Sequence, residues 1–142
     1  TMLALAGPKA QQLGLSARVR FEQADVKALP HATGAFDGVF SNTILHHIPE
    51  PVLFLREAAR VLAPGGVLLI RDLYRPPSMQ EAKRLVALHA ATADRGQQQL
   101  LLDSLCAALT LDEARACADA AGLGRARVAM TSDRHYTIEI AR

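Results

Sequence analysis

The sequence has no tryptophan and few aromatic residues of any kind, so it offers no platform on which nucleic-acid bases could stack. Its net charge is only +2 over 142 residues, with no clustered basic stripe of the kind a nucleic-acid surface needs. No apolar run approaches the ~20 residues of a membrane span. No charged segment followed by a long apolar one opens the chain, so no secretory signal is visible. Cysteine is limited to Cys106 and Cys117, both in helical stretches and without metal or redox spacing. They read as two reduced, partly buried thiols of a cytoplasmic protein. What the chain does have is apolar bulk: half of its residues are hydrophobic. That is enough for one core, and 1–142 is expected to form a single domain.

The densest pattern is FDGVFSNTILHHIPEPVLFLREAARVLAPGGVLLIRDLYR, from Phe36 to Arg75. It predicts a strand over 36–41, a polar loop over 42–50, a helix over 51–62 and a second strand over 67–71. Pro51 suits a first helical position, where a missing N–H costs nothing. Val52, Leu55, Ala59 and Leu62 recur at helical spacing, with Arg56, Glu57 and Arg60 on the opposite arc. Val67 to Ile70 is an unbroken apolar run, expected of a strand covered on both faces. Strand, helix and strand imply a right-handed parallel crossover. Ligands on such sheets bind beyond the carboxyl ends of the strands, here Ser41-Asn42 and Asp72-Leu73-Tyr74. Pro64-Gly65-Gly66 follows a helix and opens a strand, the reverse of a phosphate loop, and reads as a turn.

The flanks follow. Residues 2–13 are helical by composition, with a kink or a restart expected at Pro8. Residues 18–23 alternate, with Val19 and Phe21 on one face, and predict a strand with one wetter side. Ser78 to Glu81 and Thr110 to Glu113 each read as a capping box. A helix from Met79 to about Ala93 and another over 97–109 are expected, then a helix ending at Gly122. Residues 125–130 and 136–141 predict two antiparallel strands. His46 and His47 are adjacent, and successive side chains diverge, so no metal pair is expected of them. Each could line a pocket or hydrogen-bond the loop backbone.

The series ADVKALP, FDGVFSN, LHHIPEP, FLREAARVLAPGG and LLIRD resembles the class I S-adenosylmethionine-dependent methyltransferases, in particular the small-molecule branch that includes ubiquinone and menaquinone biosynthesis enzymes. The resemblance implies an α/β, Rossmann-like sheet, a helical insertion at 76–109 and a C-terminal antiparallel strand pair. It implies that Asp25 and Val26 hold the adenine of S-adenosyl-L-methionine, the carboxylate accepting from the exocyclic amine and the next N–H donating to the ring. It places the methionine part at Ser41 and Asn42, and makes His46 and His47 candidates for the methyl-transfer pocket. Insertions after this strand cover the substrate in that family, so Tyr74, Arg75 and His89 become candidate substrate contacts. No metal is implied.

The family's first two strands and its glycine-rich loop have no counterpart before Asp25. Cofactor binding is therefore expected to be weak or absent in this chain alone, and two strand edges are expected to lack partners and to favour a homodimer. The partners expected are a small-molecule acceptor and a second copy, with neither nucleic acid nor membrane. Two functions are open: methyl transfer to a small molecule, as part of a longer chain, or a truncated, inactive module that oligomerises. A nicotinamide-dependent oxidoreductase would need a glycine fingerprint that is lacking.

Overall fold

Pro51 opens the helix that joins the first two strands, and the rest of the sheet is built on that join. The computed structural model describes residues 2–141. By their internal packing these fall into two compact units, residues 1–30 and 31–142.

The first unit carries α1 (Met2–Gln12). The helix runs unbroken through Pro8 rather than restarting there. Gly14 then takes a left-handed φ of 66°, and Leu15 N donates to Ala10 O at 2.8 Å, a turn that closes the helix. The strand expected at 18–23 does not form. These residues are irregular, and Val19 and Phe21 are exposed. Alternation fixes which side chains share a face, but a strand also needs a neighbour to pair with its backbone, and no ladder among the described residues includes this segment.

The second unit holds β1 (Phe36–Asn42), a one-turn 3-10 helix (Leu45–His47), α2 (Pro51–Val61), β2 (Leu62–Leu73), α3 (Met79–His89), α4 (Arg95–Ala107), α5 (Leu111–Ala120), β3 (Arg127–Met130) and β4 (His135–Ile140). The sheet order is β1-β2-β4-β3. β1 and β2 are parallel, with Val39 opposite Leu68 and Asn42 opposite Arg71. β2–β4 and β4–β3 are antiparallel. β2 begins five residues earlier than the apolar run suggests. Leu62 pairs with Phe36, then the register jumps so that Gly38 faces Val67. Pro64-Gly65-Gly66 is the irregularity between, with Gly65 at φ 75°. A Cβ on Gly66 would lie 2.9 Å from the carbonyl oxygens of Ala63 and Asp37, so only glycine fits there.

The core lies between one face of the sheet and helices α2 and α5. Leu55, Leu68, Ile70, Ala114 and Ile138 are fully buried in it. The other face of β2 is not covered as expected: Leu69 is 36% exposed and its partner on β1, Phe40, 69%. The run Val67 to Ile70 is apolar at every position because the strand is central, yet α2 and α5 lie only on the Leu68 and Ile70 side. A second cluster, Leu73, Leu85, Val86, Leu105 and Ala108, seats the α3–α4 hairpin against the end of β2.

Of the two capping boxes, only that of α5 closes in both directions, Thr110 Oγ1 accepting from Glu113 N and Glu113 from Thr110 N. At α3, Ser78 caps Glu81 N, but the Glu81 carboxylate turns to Arg84 instead. Cys106 is exposed and Cys117 half-buried, both free.

Tyr136 is buried, and its hydroxyl has no hydrogen-bond partner among the described residues. Burial, reinforced by the Asp72 charge, pushes the phenol well above its usual pKa. An unpaired buried hydroxyl is a net cost. Tyr136→Phe should therefore raise the unfolding free energy by about 1–2 kcal/mol. A loss of stability in urea titration would show that the hydroxyl is satisfied after all.

Candidate active site at the carboxyl ends of the central strands

Leu68, Ile70 and Asp72 share one face of β2, and that face is the buried one. Asp72 thus enters the core by parity, and a buried carboxylate must find donors. It finds four. Leu45 N donates to Oδ2 at 2.6 Å. Leu73 N and His46 N donate to Oδ1 at 2.8 and 3.3 Å. His46 Nδ1 is 2.8 Å from the same Oδ1. The one-turn helix at Leu45–His47 gathers these N–H groups over the strand end, and Leu45, 1% exposed, pins it.

A carboxylate holding three backbone N–H groups acts as acceptor, so His46 Nδ1 carries the hydrogen between them. Nε2, on the far side of the ring, is then the lone-pair nitrogen. The His46 and Asp72 side chains are 2% and 1% exposed. The His46 and His47 rings lie 4.0 Å apart at a 42° tilt, and His47 is exposed. Both histidines line a cavity of about 360 Å³, walled by Ile48, Pro49, Ala107 and Leu109. The adjacent rings are thus in contact rather than diverging as the sequence suggests, because the one-turn helix is not a regular helix or strand, and the partner of His46 is a side chain, not the loop backbone. Asp72 lies at one of the strand ends named from sequence, but nothing there pairs it with His46. Its signal was a carboxylate at a position whose neighbours two and four residues back are core residues.

Ser41 and Asn42 end β1, half-buried and exposed respectively. Asn42 Oδ1 accepts from Arg71 Nη1 at 3.2 Å. The next residue, Thr43, has φ 59°, a left-handed conformation that costs a β-branched residue energy and bends the chain sharply at the strand end. In the first unit, Asp25 accepts from Lys27 N and Lys27 Nζ, both at 2.9 Å. The backbone N–H first and the ammonium second hold its carboxyl below the usual range. Val26 is half-buried in the turn that follows.

The other candidates lie apart from the His46 cavity. Tyr74 lines a separate cavity of about 320 Å³ with Glu81 and Asp133. Arg75 pairs with Glu113. His89 Nε2 lies 2.6 Å from Asp133 Oδ2, tying α3 to the β3–β4 turn. That contact, chiefly, lowers the Asp133 pKa.

Residues 1–70 match the family described as Methyltransferase domain. The chain is 41% identical over 73 residues to 27-O-demethylrifamycin SV methyltransferase of Amycolatopsis mediterranei, a match covering 51% of this chain and 27% of that protein. It is 43% identical over 76 residues to demethylmenaquinone methyltransferase of Thermus thermophilus, covering 54% and 34%. The fold superposes on a SAM-dependent methyltransferase from Aquifex aeolicus with a TM-score of 0.64 at 19% identity, over 97% of this chain and 62% of that one. It superposes on YcgJ from Bacillus subtilis with the same TM-score at 25% identity, over 92% and 50%. The matches thus span about a third or less of these two curated relatives.

Proposed function

We propose that the chain is a member of the class I S-adenosylmethionine-dependent methyltransferases, which its family match, relatives and fold support, and that it serves methyl transfer to a hydroxyl of a small molecule, with His46 as the base. The observation that carries this reading is the buried Asp72–His46 pair beside a cavity at the sheet's carboxyl edge. When bound, S-adenosyl-L-methionine supplies an electrophilic methyl group on a sulfonium. His46 Nε2 accepts the proton of the acceptor hydroxyl as the oxygen becomes nucleophilic. Asp72 fixes the tautomer that leaves Nε2 free and stabilises the imidazolium that forms. Ile48, Pro49, Ala107 and Leu109 form the apolar wall that holds the acceptor and limits water. An oxygen acceptor also agrees with the name of the Amycolatopsis relative.

The residues fit the cofactor in kind. The exposed Asp25 carboxylate can accept from an adenine amine, with Val26 N–H as the adjoining donor. Ser41 and Asn42 offer a hydroxyl and an amide to the amino-acid end. Binding is proposed to be weak in this chain alone, because no glycine-rich loop is present to hold the ribose and carboxylate. A cytoplasmic site of action suits the two free thiols.

The test is turnover against a panel of phenols, alcohols, thiols and amines. Hydroxyl acceptors should be methylated, and His46→Gln should lower their turnover by about 10²–10⁴-fold with little change in cofactor affinity. Preferential methylation of amines or thiols, or full activity in His46→Gln, would remove the base from the scheme.

A homodimer is proposed to form along β1, whose outer edge has no strand partner among the described residues and whose Phe40 is 69% exposed. Sedimentation velocity should show a dimer that Phe40→Lys shifts to monomer. A wild-type monomer at tens of micromolar would end that proposal.

A further inference from the structure

Arg71 stands opposite Asn42 in the β1–β2 register, on the face away from Leu68 and Ile70. Its guanidinium makes two contacts. Nη1 donates to Asn42 Oδ1 at 3.2 Å, and Nη2 is 2.9 Å from Nδ1 of His135. Arginine has five N–H donors and no lone pair. Nδ1 of His135 must therefore be the acceptor, and that imidazole is the neutral tautomer with hydrogen on Nε2. The Ser132 hydroxyl oxygen accepts from His135 N and lies 2.9 Å from the same Nδ1, so it flanks the ring. The imidazole is 5% exposed, so this end of the chain of contacts is rigid.

The same argument settles the Asn42 carboxamide. An amide whose oxygen is held by a guanidinium must turn its NH2 the other way. We propose that Arg71 is a positioning residue: anchored on neutral His135, it fixes Asn42 as a hydrogen-bond donor at the carboxyl end of β1, aimed at an acceptor such as the carboxylate of the cofactor's methionine part. Left unanchored, the Asn42 amide could turn either way, and the guanidinium would be free to take the anion itself. This inference rests on the cofactor reading of Ser41 and Asn42 given above.

Nuclear magnetic resonance on the full chain separates the parts. In the ligand-free wild type, the long-range nitrogen spectrum of His135 should show hydrogen on Nε2 and a hydrogen-bonded Nδ1. Arg71→Gln should move both the His135 Nδ1 and the Asn42 side-chain amide resonances, with the core resonances of Ile70 and Ile138 unchanged. Arg71→Lys, a point charge without a fork, should keep one of the two contacts and fail to restore both. S-adenosylhomocysteine should shift the Asn42 amide of the wild type, and Arg71→Gln should weaken its binding about ten-fold, a change of ~1.4 kcal/mol. Ligand-free Asn42 amide resonances identical in wild type and Arg71→Gln would overturn the positioning role, as would unchanged affinity. If the homologue leaves the wild-type Asn42 amide unmoved, the cofactor reading of Asn42 fails, while the ligand-free spectra still decide whether Arg71 holds it.

Discussion

Replacing Asp72 by alanine is expected to lower the unfolding free energy by about 3–5 kcal/mol, because three buried backbone donors lose their shared acceptor. The side chain is 1% exposed, and its loss would leave Leu45 N, His46 N and Leu73 N without their acceptor. Each orphaned buried donor costs about 1–3 kcal/mol before relaxation. Water can enter from the His46 cavity and recover part of that, so the simple sum is not expected. Asp72→Asn should fall between, because it keeps one acceptor oxygen but points an NH2 at donors. Urea unfolding followed by circular dichroism measures all three. A cost below 1 kcal/mol for the alanine variant would mean that the loop at Leu45–His47 stands without the carboxylate. Turnover in Asp72→Asn should drop as steeply as in His46→Gln, since the asparagine oxygen can still accept but no longer carries the charge that balances an imidazolium. A double-mutant cycle should show the two losses to be far from additive.

Stability is expected to fall by about 2–3 kcal/mol as the pH drops from 6.5 to 4.5, through His135. Burial first, and then the cations of Arg71 and Arg134, lower its pKa to about 4, with Asp72 and Asp133 opposing. In the unfolded chain the same imidazole titrates near 6.5. Between these values the unfolded state binds more protons than the folded one, so stability declines on acidification in that window and is complete above it. The lowered carboxylates, Asp25, Asp133, Glu113 and Glu81, act in the same direction, but only as the pH falls below their unfolded values near 4. The fall above pH 4.5 is the part expected from His135. His135→Gln, which can still offer Arg71 an acceptor oxygen, should flatten the profile there. Equal slopes for wild type and variant would place the sensitivity elsewhere.

The strand–helix–strand unit was legible because its signals are local. Pro51, the 3.6-residue rhythm of α2 and the glycine turn before Val67 each act within a few residues, and the parallel pairing follows from them. α5 and the final strand pair were legible for the same reason. The failures share the opposite cause. Residues 18–23 alternate like a strand, but a strand exists only with a partner. The helix box at Ser78 half-forms because Arg84 competes for Glu81. Asp72 and His46 meet across 26 positions and Arg71 and His135 across 64. Spacing rules cannot see such pairs. Parity could have flagged Asp72, since a charge in line with Leu68 and Ile70 has to be answered by something.

β4 lies second from the end in the sheet but is the last of the described strands to be synthesised. Until residue 140 leaves the ribosome, β2 has neither its antiparallel neighbour nor the wall supplied by Tyr136 and Ile138. Arg71 waits 64 residues for His135, which at ordinary elongation speeds is about 3–13 s. During that interval the nascent chain displays an apolar ribbon open to any passing β-segment. Holdase capture of ribosome-bound intermediates should thus peak before His135 emerges and decline once Ile140 is out.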